Sequence, residues 1–402
     1  MPQVLRFVLF IGLMLACVVG IHYYLWVRLI RDPAPALHGR ILLTVLLVAL
    51  AVSLPSAFFL SRALPLPAAR AVLFPIYFWM GFMFVLFVCL LGAELVRLGS
   101  GAAVRLARGA GEVADPERRL LLARLGAMAV TTTAGSLGAF SVHTALGRVV
   151  VKRLKVELPR FPRELDGLTV VQLCDLHIGP TLGRAWLEGI VAQTNALKPD
   201  VIAIVGDLVD GSVERLRHEV APLAQLRARH GVFFVTGNHE YYSGAVEWVA
   251  ELERLGLRVL RNERVRIGTE VASFDLAGVD DYGAEGLAPG HAHDLERALA
   301  GRDPTREVVL LAHQPRSIFE AARLGVGLQL SGHTHGGQIW PWRYLVYLQQ
   351  PYVSGLARHD RTLIYVSEGT GFWGPPMRLG TKAEITHLTL ASPSGPAETR
   401  PA

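Results

Sequence analysis

Thr169-Val-Val-Gln-Leu-Cys-Asp-Leu-His177 couples a short β-branched run to a turn that carries an aspartate and a histidine two residues apart. The same arrangement returns four times downstream. Val201-Ile-Ala-Ile-Val205 leads into Gly206-Asp207, and Val232-Phe-Phe-Val235 leads into Gly237-Asn238-His239-Glu240. Val308-Val-Leu-Leu-Ala312 leads into His313, and Gly327-Leu-Gln-Leu330 leads into Gly332-His333-Thr-His335-Gly-Gly337. Further apolar runs at 274–278, 363–366 and 385–390 read as strands, and amphipathic stretches at 184–197, 213–228, 245–255 and 315–324 read as helices. Strands alternating with helices specify an α/β domain. Each of the five polar turns then falls at the carboxyl end of a strand, where open α/β sheets place their ligands. A lone His or Asp there reads equally well as a cap or a packed core residue. Five such turns, each offering an oxygen or nitrogen donor, do not arise from packing alone.

Donor chemistry narrows the site. Cys17 and Cys89 lie in apolar runs and Cys174 closes a buried strand, so no thiolate zinc site is expected and the spacing is silent on redox compartment. Imidazole, carboxylate and amide oxygen together suit Mn, Fe or Zn. Two such ions ~3.5–4 Å apart, bridged by one carboxylate, would clamp the attacking and leaving oxygens of a phosphoester. A metal-activated water would supply the nucleophile near neutral pH. Glycines at 206, 237, 332, 336 and 337 allow sharp turns and close approach to an anion.

The ordered set Asp175-Leu-His177, Gly206-Asp207-Leu-Val-Asp210, Gly237-Asn238-His239-Glu240, His313 and Gly332-His333-Thr-His335 resembles the calcineurin-like metallophosphoesterase superfamily across about 168–390. The form Ser331-Gly-His-Thr-His-Gly-Gly-Gln338 and the ending Trp373-Gly-Pro-Pro-Met-Arg-Leu-Gly380 are similar to those of membrane-anchored or exported bacterial phosphodiesterases of that superfamily. The resemblance implies a four-layer sandwich, two mixed β-sheets packed face to face with helices outside. It implies that Asp175, His177 and His335 hold one metal, that Asn238, His313 and His333 hold a second, and that Asp207 bridges them. It makes His239 the catalytic residue, contacting the phosphoryl group and donating a proton to the leaving oxygen, with Asn238 also on the substrate. The implied cofactors are two divalent ions (Mn, Fe or Zn), and the implied reaction is hydrolysis of a phosphoester, read here as a phosphodiester.

Other residues carry weaker signals. Asp210 either orients a ligand or caps the helix after it. Asp280 and Asp281 follow a strand and suit a turn at least as well as a cleft. His291 and His293 lie in a Gly/Ala/Pro loop with no partner motif. Gln338, Trp340 and Trp373 would line a substrate mouth, form a membrane-facing aromatic rim, or cover a sheet edge.

Ahead of this domain the composition changes. The chain is 51% hydrophobic and 18% charged, and the apolar excess lies before residue 147. Stretches 7–27, 41–60, 71–93 and 125–145 are long enough to cross a bilayer, which takes ~20 apolar residues. The first lacks the small-residue cleavage site of a signal peptide. His22 and His143 read as packed or interface-seeking side chains. The expected organisation is a transmembrane region at 1–147, a connector at 148–167, a catalytic domain at 168–392 and a disordered tail at 393–402.

The net charge of +6 comes largely from Arg and Lys flanking the apolar runs. No basic stripe interleaved with aromatics marks the second half, so no nucleic-acid partner is indicated. The basic residues lean slightly toward termini outside the cell, and Asp115-Pro-Glu-Arg-Arg-Leu-Leu-Leu122 is similar to a twin-arginine export signal. A multi-pass membrane protein with an extracytoplasmic catalytic domain is therefore expected, its partners being the membrane and a lipid- or nucleotide-linked phosphoester. Two rivals share the fold. A pyrophosphatase-type hydrolase of nucleotide–lipid conjugates would differ only at the pocket rim, and a non-catalytic binding module is disfavoured by a complete donor set. A transport role for the spans lacks paired charges in their cores.

Overall fold

The computed structural model describes residues 3–108 and 115–393, so the tail expected at 393–402 lies, from residue 394 on, outside the described residues. The chain forms two compact units, one running to His143 and including Gly374–Met377, the other comprising Thr144–Trp373 and the chain from Arg378.

Helices Gln3–Trp26, Leu37–Ala63, Leu66–Arg108 and Pro116–Leu146 build the first unit. All four are long and apolar enough to cross a membrane, and the last is the least apolar. The third runs well past 93 because Glu94, Leu95, Arg97 and Leu98 are good helix formers with no proline to stop them. Ala57, Ala69, Leu73 and Ile76 make a small core, whereas Leu13, Leu42, Phe59 and Val96 project outward. Apolar side chains on the outer face suit a hydrocarbon surround rather than water. His22 is a packed residue: its Nδ1 donates to the Val18 carbonyl at 2.7 Å and its Nε2 accepts from Trp79 Nε1 at 3.1 Å.

The second unit is built on twelve strands: β1 Val150–Glu157, β2 Thr169–Leu173, β3 Val201–Val205, β4 Val232–Val235, β5 Arg258–Val259, β6 Glu263–Gly268, β7 Ser273–Gly278, β8 Val308–Leu311, β9 Leu328–Ser331, β10 Gly355–His359, β11 Thr362–Val366 and β12 Glu384–Ala391. They form two six-stranded sheets, ordered β1-β12-β2-β3-β4-β5 and β10-β11-β9-β8-β7-β6. Within them β2, β3, β4 and β5 run parallel, as do β7, β8, β9 and β11, with antiparallel pairs at β12/β2, β6/β7 and β10/β11. Both sheets are mixed, as expected.

Alternation decides what each face does. Val201, Ala203 and Val205 of one sheet meet Val309, Leu311, Leu328 and Leu330 of the other in a single apolar core. The opposite face of the second sheet, with Ala277, Val308 and Leu310, packs under Leu295, Leu299 and Ala321 from helices. The result is the expected sandwich with helices outside.

One segment departs from expectation. Residues 150–157, read as part of a connector, form β1, which pairs in parallel with β12 from Val150 opposite Glu384 to Glu157 opposite Ala391. Lys and Arg on its exposed face mask the strand pattern, and Val156 alone is fully buried. Charge on an edge strand discourages pairing with another chain.

Candidate functional site

The five donor turns leave strands that are neighbours, β2, β3 and β4 in one sheet and β8 and β9 in the other. Backbone bonds tie the turns to one another: Asp175 N donates to Gly206 O at 3.1 Å and Gly332 N to His313 O at 3.0 Å. Side chains then cross between turns. Asp175 Oδ1 accepts from His333 N at 3.0 Å, and Asp207 Oδ1 accepts from His239 N at 2.9 Å.

The backbone there is strained in a telling way. Asp175, His177, Asp207, His333 and His335 all sit at left-handed φ, between 47° and 69°. Such a conformation costs a non-glycine residue ~1–3 kcal/mol and persists only where its surroundings impose it. Five donors held this way are aimed, not merely packed. Gly206 (φ 76°) shows why the turns need glycine, since a Cβ there would stand 2.6 Å from His313 Nδ1 and 2.7 Å from Gly237 N. At Gly332 a Cβ would collide with Cys174 Sγ and Asp175.

Asp175, His177 and His335 bring ligand atoms within 4.8 Å of one another, and Asp207, His313 and His333 do the same. Asp207 Oδ2 lies between the two groups, 3.1 Å from His313 Nε2 and 3.9 Å from His177 Nε2. His177 Nε2 and His335 Nε2 face each other at 3.1 Å. Asp175, His177, Asp207, His313 and His335 are all buried.

Tautomers show that this set suits metal ions. His313 Nδ1 donates to the Val205 carbonyl at 2.8 Å, and His177 Nδ1 donates to Asp210 Oδ1 at 3.0 Å. Each ring therefore points its Nε2 into the cluster, the orientation a ligating histidine needs once that nitrogen gives up any proton to a metal. Several buried polar atoms there make no hydrogen bond, namely His313 Nε2, His335 Nδ1 and Asn238 Oδ1. His313 Nε2 has Asp207 Oδ2 3.1 Å away, whereas His335 Nδ1 and Asn238 Oδ1 are buried acceptors that are costly to orphan unless something positive satisfies them. Cys174 is not a donor, because its thiol points to Val205 O at 3.1 Å and burial holds it protonated.

Charge in the cluster is divided. Burial opposes ionisation of Asp207, yet the charge of His313 and then of His239 holds its carboxyl well below the usual range. Burial raises Asp175, partly offset by His313. His313 is itself lifted well above an ordinary imidazole, Asp207 outweighing the effect of burial. Burial and the His313 charge push His333 down to about 3, and burial and His177 hold His335 low as well. So His333 and His335 are neutral with free lone pairs, while protons on His313 and His239 balance the carboxylates that a cation would otherwise neutralise.

His239 sits beside the cluster rather than in it. Its Nδ1 donates to Asp210 Oδ1 at 2.6 Å, and its ring meets those of His177 at 4.6 Å and Trp373 at 5.4 Å. Burial works against its charged form, but Asp207 and Asp210 raise it to about 9. Asp210 thus resolves toward orienting: it accepts from both histidines, and the helix entered from Ser212 has no side-chain cap.

Three further residues hold the site, and their roles are not legible in the motifs. Glu240 is fully buried and accepts from the backbone N–H of Asp207 at 3.0 Å, Leu208 at 2.8 Å and Gly237 at 2.6 Å. Its place three residues into a helix that starts after Gly237 is the spacing of a capping box, the one signal for it. Arg378, also fully buried, donates to the carbonyls of Glu368, Gly369 and Gly371. Gln338 exchanges hydrogen bonds of 3.0 Å with the Trp373 backbone, both N–H and carbonyl. Asp280, His291 and His293 lie outside the cluster: Asp280 pairs with Arg261, His291 meets Tyr241, and His293 meets Glu320. Asp281 accepts from Gln314 at 3.0 Å, next to His313 in sequence.

Known proteins place the chain. A family model described as calcineurin-like phosphoesterase matches residues 168–337. The chain is 44% identical over 297 residues to a transmembrane protein with metallophosphoesterase domain from Bos taurus, covering 71% of this chain and 66% of that protein. It is 39% identical over 250 residues to an uncharacterized metallophosphoesterase of Helicobacter pylori, covering 62% and 65%. To an uncharacterized metallophosphoesterase of Aquifex aeolicus it is 34% identical over 258 residues, covering 63% of this chain and 96% of that one. The chain thus spans just under two thirds of the first two relatives and nearly all of the third. A shared sequence along the length of a relative, with its donor turns gathered on one edge of a two-sheet sandwich, makes this chain a member of the calcineurin-like metallophosphoesterase family.

Proposed function

We propose that this chain is a multi-pass, membrane-anchored phosphodiesterase that hydrolyses a lipid- or nucleotide-linked phosphoester at a dinuclear metal centre. Asp175, His177 and His335 would hold one divalent ion, Asn238, His313 and His333 the other, and Asp207 would lie between them. The observation that carries this reading is the pair of fixed tautomers, His177 on Asp210 and His313 on the Val205 carbonyl, with both Nε2 atoms turned toward Asp207.

Ions of the Mn, Fe or Zn type bound there would supply Lewis-acid polarisation of a phosphoryl group and acidification of water. The protein's own residues do the rest. Asp210 fixes the His239 ring through Nδ1, so Nε2 carries the proton available to the departing ester oxygen. Charge from Asp207 and Asp210 keeps that proton in place at neutral pH. Trp373 and Tyr242 flank the same ring, each with its centroid 5.4 Å away, and shield it from bulk water. The lean of basic residues and the paired arginines in the first turn of the fourth helix support a catalytic domain outside the cytoplasm; a reporter fused after Ala402 that works only in the cytoplasm would overturn that placement.

The test is turnover by the purified full chain with Mn, Fe or Zn on a panel of phosphomonoesters and diesters. Metal-dependent diester cleavage is expected, falling ~10²–10⁴-fold in His239→Ala. No turnover with any of the metals, or an unaltered His239→Ala, sinks the proposal.

A further inference from the structure

Directly after Gln338 the surface turns inside out. Between Trp340 and Leu348 the large apolar side chains face outward: Trp340, Trp342, Tyr344, Leu345, Tyr347 and Leu348, the last 80% exposed. Two polar residues in and just after the segment are tied back to the domain, while Gln349 between them is exposed. Arg343 donates to Ser354 Oγ at 3.3 Å, and Gln350 is buried, bonded to Gln314 and to the Arg316 backbone. A water-facing surface has the opposite polarity, and a contiguous apolar patch of this kind marks an interaction face. We propose that this segment is a membrane-interface dock by which the catalytic domain rests on an anionic bilayer surface.

Three features select lipid as the occupant. Two tryptophans and two tyrosines among six exposed residues are the composition of an interfacial aromatic belt, where amphipathic rings sit at headgroup depth. No Asp or Glu occurs between Glu320 and Asp360, while the half-buried Arg343 and the exposed Arg358 do, so the neighbourhood leans toward anionic headgroups; Arg323 is already paired with Glu296. The same chain carries four helices able to cross a membrane, which keeps a bilayer within reach of the domain at all times. The dock is also joined to the site. The His335–Gly337 turn runs into Gln338, whose side chain clamps Trp373 against the His239 ring at 5.4 Å. Seating the segment in the headgroup layer brings the mouth of the histidine cluster to the bilayer surface, where a phosphoester on a lipid would arrive. The proposal rests on the membrane-spanning reading of the four helices, and its test separates the two.

The test is tryptophan quenching of the full chain in nanodiscs of brominated phosphatidylcholine and phosphatidylglycerol, against iodide added to the water. Of seven tryptophans, Trp26 lies in the first apolar helix and serves as an internal reference. Emission removed by Trp340→Phe/Trp342→Phe should be quenched by bromolipid to a degree comparable with that removed by Trp26→Phe, and should resist iodide. Leu348→Trp, at a site too exposed to disturb folding, should add bromolipid-quenchable emission and lose part of it when phosphatidylglycerol is omitted. Quenching of Trp340 and Trp342 by iodide but not bromolipid overturns the dock, as does protection from both quenchers, which would indicate a second protein on the face. If Trp26 also escapes bromolipid, the spans and the dock fall together.

Discussion

Asp210 holds two histidines with one oxygen, so removing its charge should produce two separable losses. In Asp210→Asn the shape is kept, while Oδ1 no longer offers an anion to His177 Nδ1 at 3.0 Å and His239 Nδ1 at 2.6 Å. A hydrogen bond to a charged group is worth ~1.5–3 kcal/mol, and a pKa unit corresponds to ~1.4 kcal/mol. His239, raised to about 9 in the metal-free protein, should therefore drop by ~1–2 units. At pH 8 its protonated fraction would fall from ~0.9 to between ~0.5 and ~0.1, while at pH 6 it would hardly change. Bound divalent charge lowers both values together and leaves the difference. If His239 delivers the proton, kcat/KM at saturating metal loses its alkaline limb ~1–2 pH units earlier in the variant, and the deficit grows with pH. The second loss falls on His177, whose ring is no longer held in its ligating tautomer, and costs ~10–100-fold in metal affinity. The assay is a pH–rate profile at saturating metal alongside a metal titration at pH 6. An alkaline limb that stays in place at saturating metal refutes the role given to His239. Unchanged metal affinity refutes the orientation of His177.

Other parts of the site make equally direct predictions. Glu240→Ala leaves three buried backbone N–H groups unpaired; at ~1–3 kcal/mol each, the midpoint of thermal inactivation should fall by several degrees or more, and a midpoint within error of the parent would rule out the buttress. Gly206→Ala puts a methyl against His313 Nδ1, so metal content by elemental analysis should drop by at least one equivalent, with two equivalents retained counting against the packing argument. In the chelated protein His239 has a folded value of about 9 against 6.5 for a free imidazole. Its contribution to stability is therefore fully present below about pH 6.5 and is lost as pH rises through about 9. The thermal midpoint of the chelated chain should decline across that window, His239→Ala should flatten the decline, and a parallel decline in both proteins would show that another group causes it.

How much of this was readable beforehand depends on where each residue finds its partner. Asp175, His177, Asp207, His313, His333 and His335 are legible because their chemistry is carried by the side chain itself and each stands at the end of an apolar strand. Strands with both faces buried, such as Val201–Val205, read clearly for the same reason. Val150–Glu157 does not, because half its side chains answer to solvent and its role comes from pairing with β12, more than two hundred residues away. Arg378 is hidden for a related reason: it acts by donating to the carbonyls of 368, 369 and 371, and carbonyls leave no trace in a sequence. Asp210 and Glu240 lie between these cases. They sit inside legible motifs, but their function is to hold atoms that the motifs do not name, a histidine Nδ1 and three backbone N–H groups. A relative that kept every one of the six cluster residues and replaced either acid would still match the pattern, yet those side chains would no longer be held in the arrangement seen here. For chains like this one, activity should therefore track these supporting acids as closely as the donors themselves.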